Sequence, residues 1–359
     1  MNEYKDKKVT DLLRGEGNKM KVVKINELKH GMRVAHNIFR HDGLLAFSKG
    51  TVIKRVQIEA FHYLNLSSIM VYDEKTKIAD NDINFTLQII ESAYQNVSVW
   101  SKEFGHDMYL RVSKRIMKNR RVCKYLNMLR VVDTYSLAHC INISVIVALM
   151  LAQNEKVDDE LADITYLALL HDIGRIKMKG IFEKEEKLTD KEFEKVRKHP
   201  ELSFKLLKRA GFSPYDIQFV LETHEKYDGS GYPLQIEHQD ISELAQLISV
   251  AEVYNALSSY RPYRSVFDPY EVVKILESEK NKAFGEKYVD VFTETFKPYR
   301  VGSYVELNDG RIGRVKRISV FNNTLPVLDI LSSDTGEREE TVDLKLHPNL
   351  RIIRISTKY

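Results

Sequence analysis

Cysteine is scarce: Cys123 and Cys140 are the two in 359 residues. They cannot build a disulfide framework or an all-cysteine zinc site, and they fit a reducing compartment, the cytoplasm being the expected one. Charge of one sign is also lacking. Fifty-five Lys and Arg against 51 Asp and Glu leave +4, too little to single out a nucleic acid polymer or an anionic membrane as partner. No stretch of about 18 uncharged apolar residues occurs; the longest apolar run, 141–152, holds Asn142 and Ser144 and is short for a bilayer, so no membrane insertion is expected. The charged first twenty residues contain no apolar signal-peptide core and read as a flexible tail. Internal repeats and low-complexity segments are absent. The chain does have a 43% share of hydrophobic residues, which excludes a mostly disordered polypeptide. At about 150 residues per domain, two to three domains are expected.

Three patterns divide the rest. Residues 21–80 read as a small α/β module. VVKI is short and β-branched, VAHNIF and LLAF flank the hairpin signal Asp42-Gly43, Thr51 is placed to cap a helix through Phe61, and Ser68–Tyr72 closes as a strand. The polar segment 74–82 is the linker. From 83 to 300 the apolar period is helical, as in Met108, Val112 and Ile116. The basic segment Lys114–Arg121 has no interleaved aromatic residue and reads as a solvated helix face. Residues 301–359 alternate as short strands around the turns Asn308-Asp309-Gly310 and Asp334-Thr335-Gly336, a β-rich module without catalytic residues. The fold class is therefore mainly α: a helical bundle with a small N-terminal α/β module and a small C-terminal β-rich module.

The chemistry lies between 139 and 252. His139 falls on an apolar helix. His171-Asp172 ends the helix LADITYLALL, with Gly174 suited to a C-cap. His199 precedes Pro200, which suits the opening of a helix. His224 runs into the glycine-rich loop DGSGYP, and Glu252 lies on a second apolar helix. Imidazole nitrogens suit borderline divalent metals, and a carboxylate bridges two of them. Burying these groups without an ion leaves them unsatisfied; a shared metal centre satisfies them all.

His139, His171-Asp172, His199, His224 and Asp228–Pro233, followed by SVAEVYNALSSYRPYR at 249–264, resemble the HD-GYP subgroup of the HD-domain metal-dependent phosphohydrolases. The resemblance covers about 130–265, and the flanking modules look like ones that accompany such domains. It implies a helical domain holding two or three iron or manganese ions, which hydrolyses cyclic di-GMP to pGpG and often on to GMP. His139, His171, Asp172 and Glu252 would hold one ion. Asp172 would bridge to a second, bound also by His199 and His224. Asp172 and Arg175 would be the catalytic pair, Arg175 standing where the family has a lysine near the scissile phosphate. Arg261 and Arg264 would clamp phosphates, and Gly231 and Tyr232 would shape the guanine pocket.

The sequence departs from that pattern at several points. Thr223 stands where the family has a histidine for the second metal, Glu252 where it has an aspartate, Asn255 where an acid is common, and Ser203 where glycine is usual. Tyr135 replaces the glutamate of trinuclear members, so two ions are expected, the second site weakened by Thr223. Three readings follow: a cyclic di-GMP phosphodiesterase, a degenerate sensor or protein-interaction module for cyclic di-GMP, and a hydrolase of another phosphoester. Candidate protein partners are a second copy of the chain and a diguanylate cyclase.

Overall fold

In the computed structural model the described residues run from 20 to 355, except 41, 56, 65, 74–75, 77, 80–81, 98–101, 153–156, 182–187, 261–265, 297–298, 300, 319–323 and 333–334. Strands β1 (Met20–Lys24), β2 (Ile38–Phe39) and β3 (Leu45–Phe47), helix α1 (Gln57–Tyr63) and strand β4 (Ser68–Tyr72) come first. β1 pairs with β4 and β2 with β3, both antiparallel. Their alternating apolar residues, Val23, Ile53, Phe61 and Val71 among them, form a core of their own. Thr51 does not cap the helix, which begins six residues later. Its amide bonds the Ser48 carbonyl and its hydroxyl lies 3.2 Å from the Ser48 hydroxyl, so a turn takes up the groups a cap would need.

Among the described residues eleven α-helices follow: α2 (Ile83–Gln95), α3 (Lys102–Lys118), α4 (Arg120–Val132), α5 (Thr134–Leu151), α6 (Asp159–Leu170), α7 (Asp190–Val196), α8 (His199–Ala210), α9 (Phe219–Glu222), α10 (Glu243–Ser258), α11 (Pro269–Ser278) and α12 (Glu286–Thr295). Their starts are written locally. Asp82, Asn119, Asp133 and Asp158 accept hydrogen bonds from first-turn amides, and Thr189 and Asp268 form capping boxes. The basic face of α3 is laced to α6 by Arg115, which pairs with Asp159 and Asp163. α5 has the length and composition to cross a membrane, but it is the central helix of the bundle. Its polar residues are internally paired: Ser144 meets the Tyr94 hydroxyl at 3.1 Å and the Ile141 carbonyl at 2.7 Å.

The last unit is an antiparallel sheet of β5 (Tyr304–Leu307), β6 (Ile312–Arg317), β7 (Val327–Leu331), β8 (Arg338–Asp343) and β9 (Ile352–Ile355), in the order β8-β7-β6-β5-β9. Val305, Val315, Leu328 and Ile330 form its core.

The β2–β3 hairpin positions the site. Leu44 and Leu45 belong to the core of the helical bundle rather than to that of their own module. The Leu45 amide donates to Asn142 Oδ1 at 2.8 Å, and Asn142 Nδ2 returns a bond to the Leu45 carbonyl at 2.9 Å. The Tyr254 hydroxyl donates to Asp42 at 2.9 Å, and Arg40 pairs with Asp42 and donates to Ser259 at 2.8 Å. These buried, mutually satisfied polar groups fasten the hairpin to α5 and α10.

Candidate metal centre

Four helices and two turns converge on Asp172. The carboxylate is fully buried. Oδ2 lies 3.5 Å from both His139 Nε2 and His171 Nε2, and Oδ1 lies 2.8 Å from His199 Nε2. Glu252 reaches in from α10, its Oε1 3.4 Å from His139 Nε2 and 3.3 Å from His171 Nε2. Its Oε2 is 3.3 Å from His224 Nδ1. His224 Nε2 faces His199 Nε2 at 2.8 Å. Two donor sets result, one of His139, His171, Asp172 and Glu252, the other of Asp172, His199 and His224, each with its ligand atoms within 4.8 Å of one another. Asp172 belongs to both.

These residues fit divalent cations. With metal–ligand bonds of about 2.0–2.1 Å, neighbouring ligand atoms stand about 3.0–3.4 Å apart, close to the spacings seen. His139 Nε2 and both Asp172 oxygens are buried and make no hydrogen bond of acceptable geometry with the described residues, although imidazole nitrogens surround the carboxylate. Groups aimed at a common point rather than at one another are the signature of a ligand set. Backbone carbonyls orient two of the rings: His171 Nδ1–H donates to Ala168 at 2.7 Å and His199 Nδ1–H to Val196 at 2.6 Å. Each Nε2 lone pair is thereby left for an ion.

His139 is held differently. Asn255 Nδ2 lies 3.0 Å from its Nδ1, while Asn255 Oδ1 accepts from Asn142 Nδ2 at 3.1 Å. Asn142 is in turn pinned by the Leu45 backbone. An amide NH2 aimed at Nδ1 makes that nitrogen an acceptor, so an ion at Nε2 requires the ring proton to move to Nδ1 and Asn255 to turn its Oδ1 toward it.

Electrostatics keep the centre anionic. Burial would raise the Asp172 carboxyl, but the Arg175 guanidinium, with Nε 2.5 Å away, and His199 and His171 hold it well below the usual carboxylate range. Glu252 is likewise held well below the usual carboxylate range, against its burial, by His224, His139 and His171. Burial pushes His224 down to about 4, so its lone pairs are available at neutral pH.

Close approaches explain the local glycines. Gly174 lies in a short 3-10 turn, Ile173–Lys177, and is not a left-handed helix cap. A Cβ there would stand 2.4 Å from the His199 carbonyl oxygen and 2.6 Å from Ser203 N. The glycine lets the N-terminus of α8 press against the turn that carries Asp172. Ser203 takes up the freed amide, accepting from Gly174 N at 2.8 Å. Gly231 packs in the same way on the 225–226 backbone, 2.4 Å from Glu225 Cα. The loop after it folds back on His224: Tyr232 N donates to the His224 carbonyl at 3.1 Å, and the two rings stack at 5.1 Å. Glu225 ties the loop by accepting from Leu234 and Gln235 amides.

The six expected ligand residues therefore come together, with Arg175 beside them. Gly231 and Tyr232 do not line the adjoining cavity; they brace His224. Thr223 turns its hydroxyl to the Val220 carbonyl at 3.2 Å, so its oxygen is not offered to an ion. Arg261 and Arg264 lie outside the described residues. Asn142, Gly174 and Glu225 were missed as site residues. Asn142 left a signal, a polar residue within an apolar helix three positions past His139.

A cavity of about 1130 Å³ opens on the centre, its wall including His139, Asn142, Arg175 and Asn255 from the bundle and the β2–β3 hairpin from the N-terminal module. It exceeds the usual 300–1,000 Å³ of small-molecule sites.

The family model of the HD domain matches residues 112–287. A cyclic di-GMP phosphodiesterase of Pseudomonas aeruginosa is 31% identical over 211 residues, covering 58% of this chain and 51% of that protein. One from Borreliella burgdorferi is 26% identical over 230 residues, covering 63% and 60%. A 3'3'-cGAMP-specific phosphodiesterase of Vibrio cholerae is 30% identical over 152 residues, covering 42% and 33%. The chain thus spans about half the length of the curated relatives it matches.

Proposed function

Because this chain carries an HD domain of the HD-GYP type, we propose that it is a metal-dependent phosphodiesterase that opens cyclic di-GMP to pGpG and on to GMP. The observation that carries the reading is Asp172, buried with one oxygen turned to each of two histidine sets, beside a cavity large enough for a dinucleotide whose wall includes His139 and Arg175. His139, His171, Asp172 and Glu252 would hold one ion and Asp172, His199 and His224 the other, iron(II) or manganese(II). When bound, such a pair supplies Lewis acidity and acidifies water to yield a nucleophile at neutral pH. Asp172 sets the negative charge between the donor sets, and its depressed pKa keeps it ionised. Arg175, on the cavity wall, is placed to bind a non-bridging oxygen of the phosphodiester and to stabilise charge as the ester bond breaks. Water adds to phosphorus, the ribose oxygen leaves with a proton, and no protein nucleophile is consumed. The free thiols of Cys123 and Cys140 support a cytoplasmic site of action.

The convergence of all six ligands favours turnover over a sensor that has lost its chemistry. The test is hydrolysis of cyclic di-GMP by anaerobically purified protein, with metals counted on the same sample and 3'3'-cGAMP run beside it. Turnover with about two ions per chain, abolished in His171→Ala and Asp172→Ala, is expected. Tight nucleotide binding without turnover, and one ion or none, would replace the enzyme by the sensor.

A further inference from the structure

The cavity beside the candidate metal centre takes His139 and Arg175 from the bundle and much of the rest of its wall from the N-terminal module. Among the described lining residues, Arg33, Arg40, Lys49, Lys54, Arg130 and Arg175 are cationic, and Asp133 is the one carboxylate. Arg40 is neutralised by Asp42. Arg33 and Lys49 have no carboxylate within ion-pair distance among the described residues. Arg33 Nη1 donates to the Gly50 carbonyl at 3.3 Å. Lys49, half-buried, bonds the Gln88 side chain and lies 4.4 Å above the Phe85 ring. Burial, with Arg130 nearby, pushes its ammonium below the usual lysine value against the attraction of Asp82, which is not within ion-pair distance. Gly50, between the two cations' contacts, has φ +86° and sits 3.3 Å from Phe85 at its Cβ position. The module therefore approaches α2 as closely as backbone allows, and the Leu45–Asn142 bonds hold it there.

We propose that Arg33 and Lys49 form a second phosphate subsite, so that the N-terminal module supplies half of the pocket and selects ligands with two phosphoryl groups. The inference rests on the phosphodiesterase reading for its ligand. A cyclic dinucleotide carries two phosphodiester charges. One is addressed by the metal centre and Arg175; the other needs a second cation elsewhere on the cavity wall. A mononucleotide or a simple diester engages the centre alone.

The test uses the full chain carrying Arg33→Gln, Lys49→Gln, both together, and Lys49→Arg. Binding of cyclic di-GMP is titrated on metal-depleted protein, and hydrolysis of cyclic di-GMP and of bis(p-nitrophenyl) phosphate is measured on loaded protein. Each glutamine variant is expected to weaken cyclic di-GMP binding and raise its KM about tenfold or more, the size of a lost charged hydrogen bond. The effect on the simple diester should be at least tenfold smaller, and Lys49→Arg should restore most of the affinity. Equal losses on both substrates, or unchanged cyclic di-GMP binding, would overturn the subsite. Wild-type protein that binds cyclic di-GMP without hydrolysing it, with binding weakened in the variants, would keep the subsite and remove the enzyme reading. Wild-type protein that neither binds nor hydrolyses it would remove both.

Discussion

Asp172 Oδ2 lies 2.5 Å from Arg175 Nε, and its Oδ1 lies 2.8 Å from His199. With Glu252 it is held ionised well below the usual carboxylate range. Carboxylates lowered in this way stabilise the fold above their unfolded pKa of about 4, and that stabilisation is lost as pH falls through the lower folded value. Replacing Arg175 by Gln removes the main attraction lowering Asp172, so its protonation moves up in pH and protons displace the ions earlier. Metal retained after dialysis at stepped pH should fall at a higher pH in Arg175→Gln than in wild type; coincident curves would disprove the coupling. Asn255 is the second informative residue. Asn255→Asp can still accept from Asn142 and also accepts a proton from His139 Nδ1, freeing Nε2 as a ligand. Supporting contacts of this kind change metal affinity by about 10–100-fold, so competition with a chelator should show at least tenfold tighter retention of one ion. Equal or weaker retention would show that the Asn255 amide does not oppose binding.

At the scale of elements, the site depends on how closely a turn and a helix end can approach. The Gly174 turn admits the start of α8 because no side chain intervenes. Gly174→Ala would push His199 away from Asp172, and a displacement of an ångström is costly at a reacting centre. We expect this variant to keep its helical circular dichroism, lose about one ion per chain and lose about 100-fold in kcat. Full metal content in folded protein would refute that account. The Asp42-Gly43 hairpin was legible in sequence because a turn is a local contract between neighbours, whereas the caps expected at Thr51 and Gly174 are not formed. The late start of α1 was not legible, because the competing bond from Thr51 to Ser48 is a choice between two local solutions. The role of Gly174 was hidden for a different reason: the atoms it avoids belong to a helix 25 residues further on.

Across the whole molecule, the two donor sets join α5, α10, the end of α6, the start of α8 and the turn after α9. An ion that binds the folded chain and not the unfolded one stabilises it by about 2.7 kcal/mol at 100 times its Kd. Chelation should therefore lower the unfolding free energy read from a urea titration by that order, and manganese should restore it. Asp172→Ala should remove the response, whereas a chelator effect that persists in this variant would place the stabilising ion elsewhere. A chain of bonds from Leu45 through Asn142 and Asn255 to His139 ties the N-terminal module to the first donor set.

The sequence by itself determined the donor residues and their kind of chemistry, because metal ligation demands particular side chains at motif spacing and those survive as letters. It also determined the three patterns of period along the chain, since alternation and helical recurrence follow from burial of one face. Tertiary structure alone decided that Asp172 serves both donor sets, that the Thr223 hydroxyl turns back to Val220, and that Gly231 and Tyr232 brace His224 rather than line the cavity. It alone set the β2–β3 hairpin into the bundle, bringing Arg33, Lys49 and Arg175 to the wall of one cavity. Those outcomes depend on packing between residues up to about a hundred positions or more apart, as from Leu45 to Asn142 and from His139 to Asn255, and no local pattern encodes such distances.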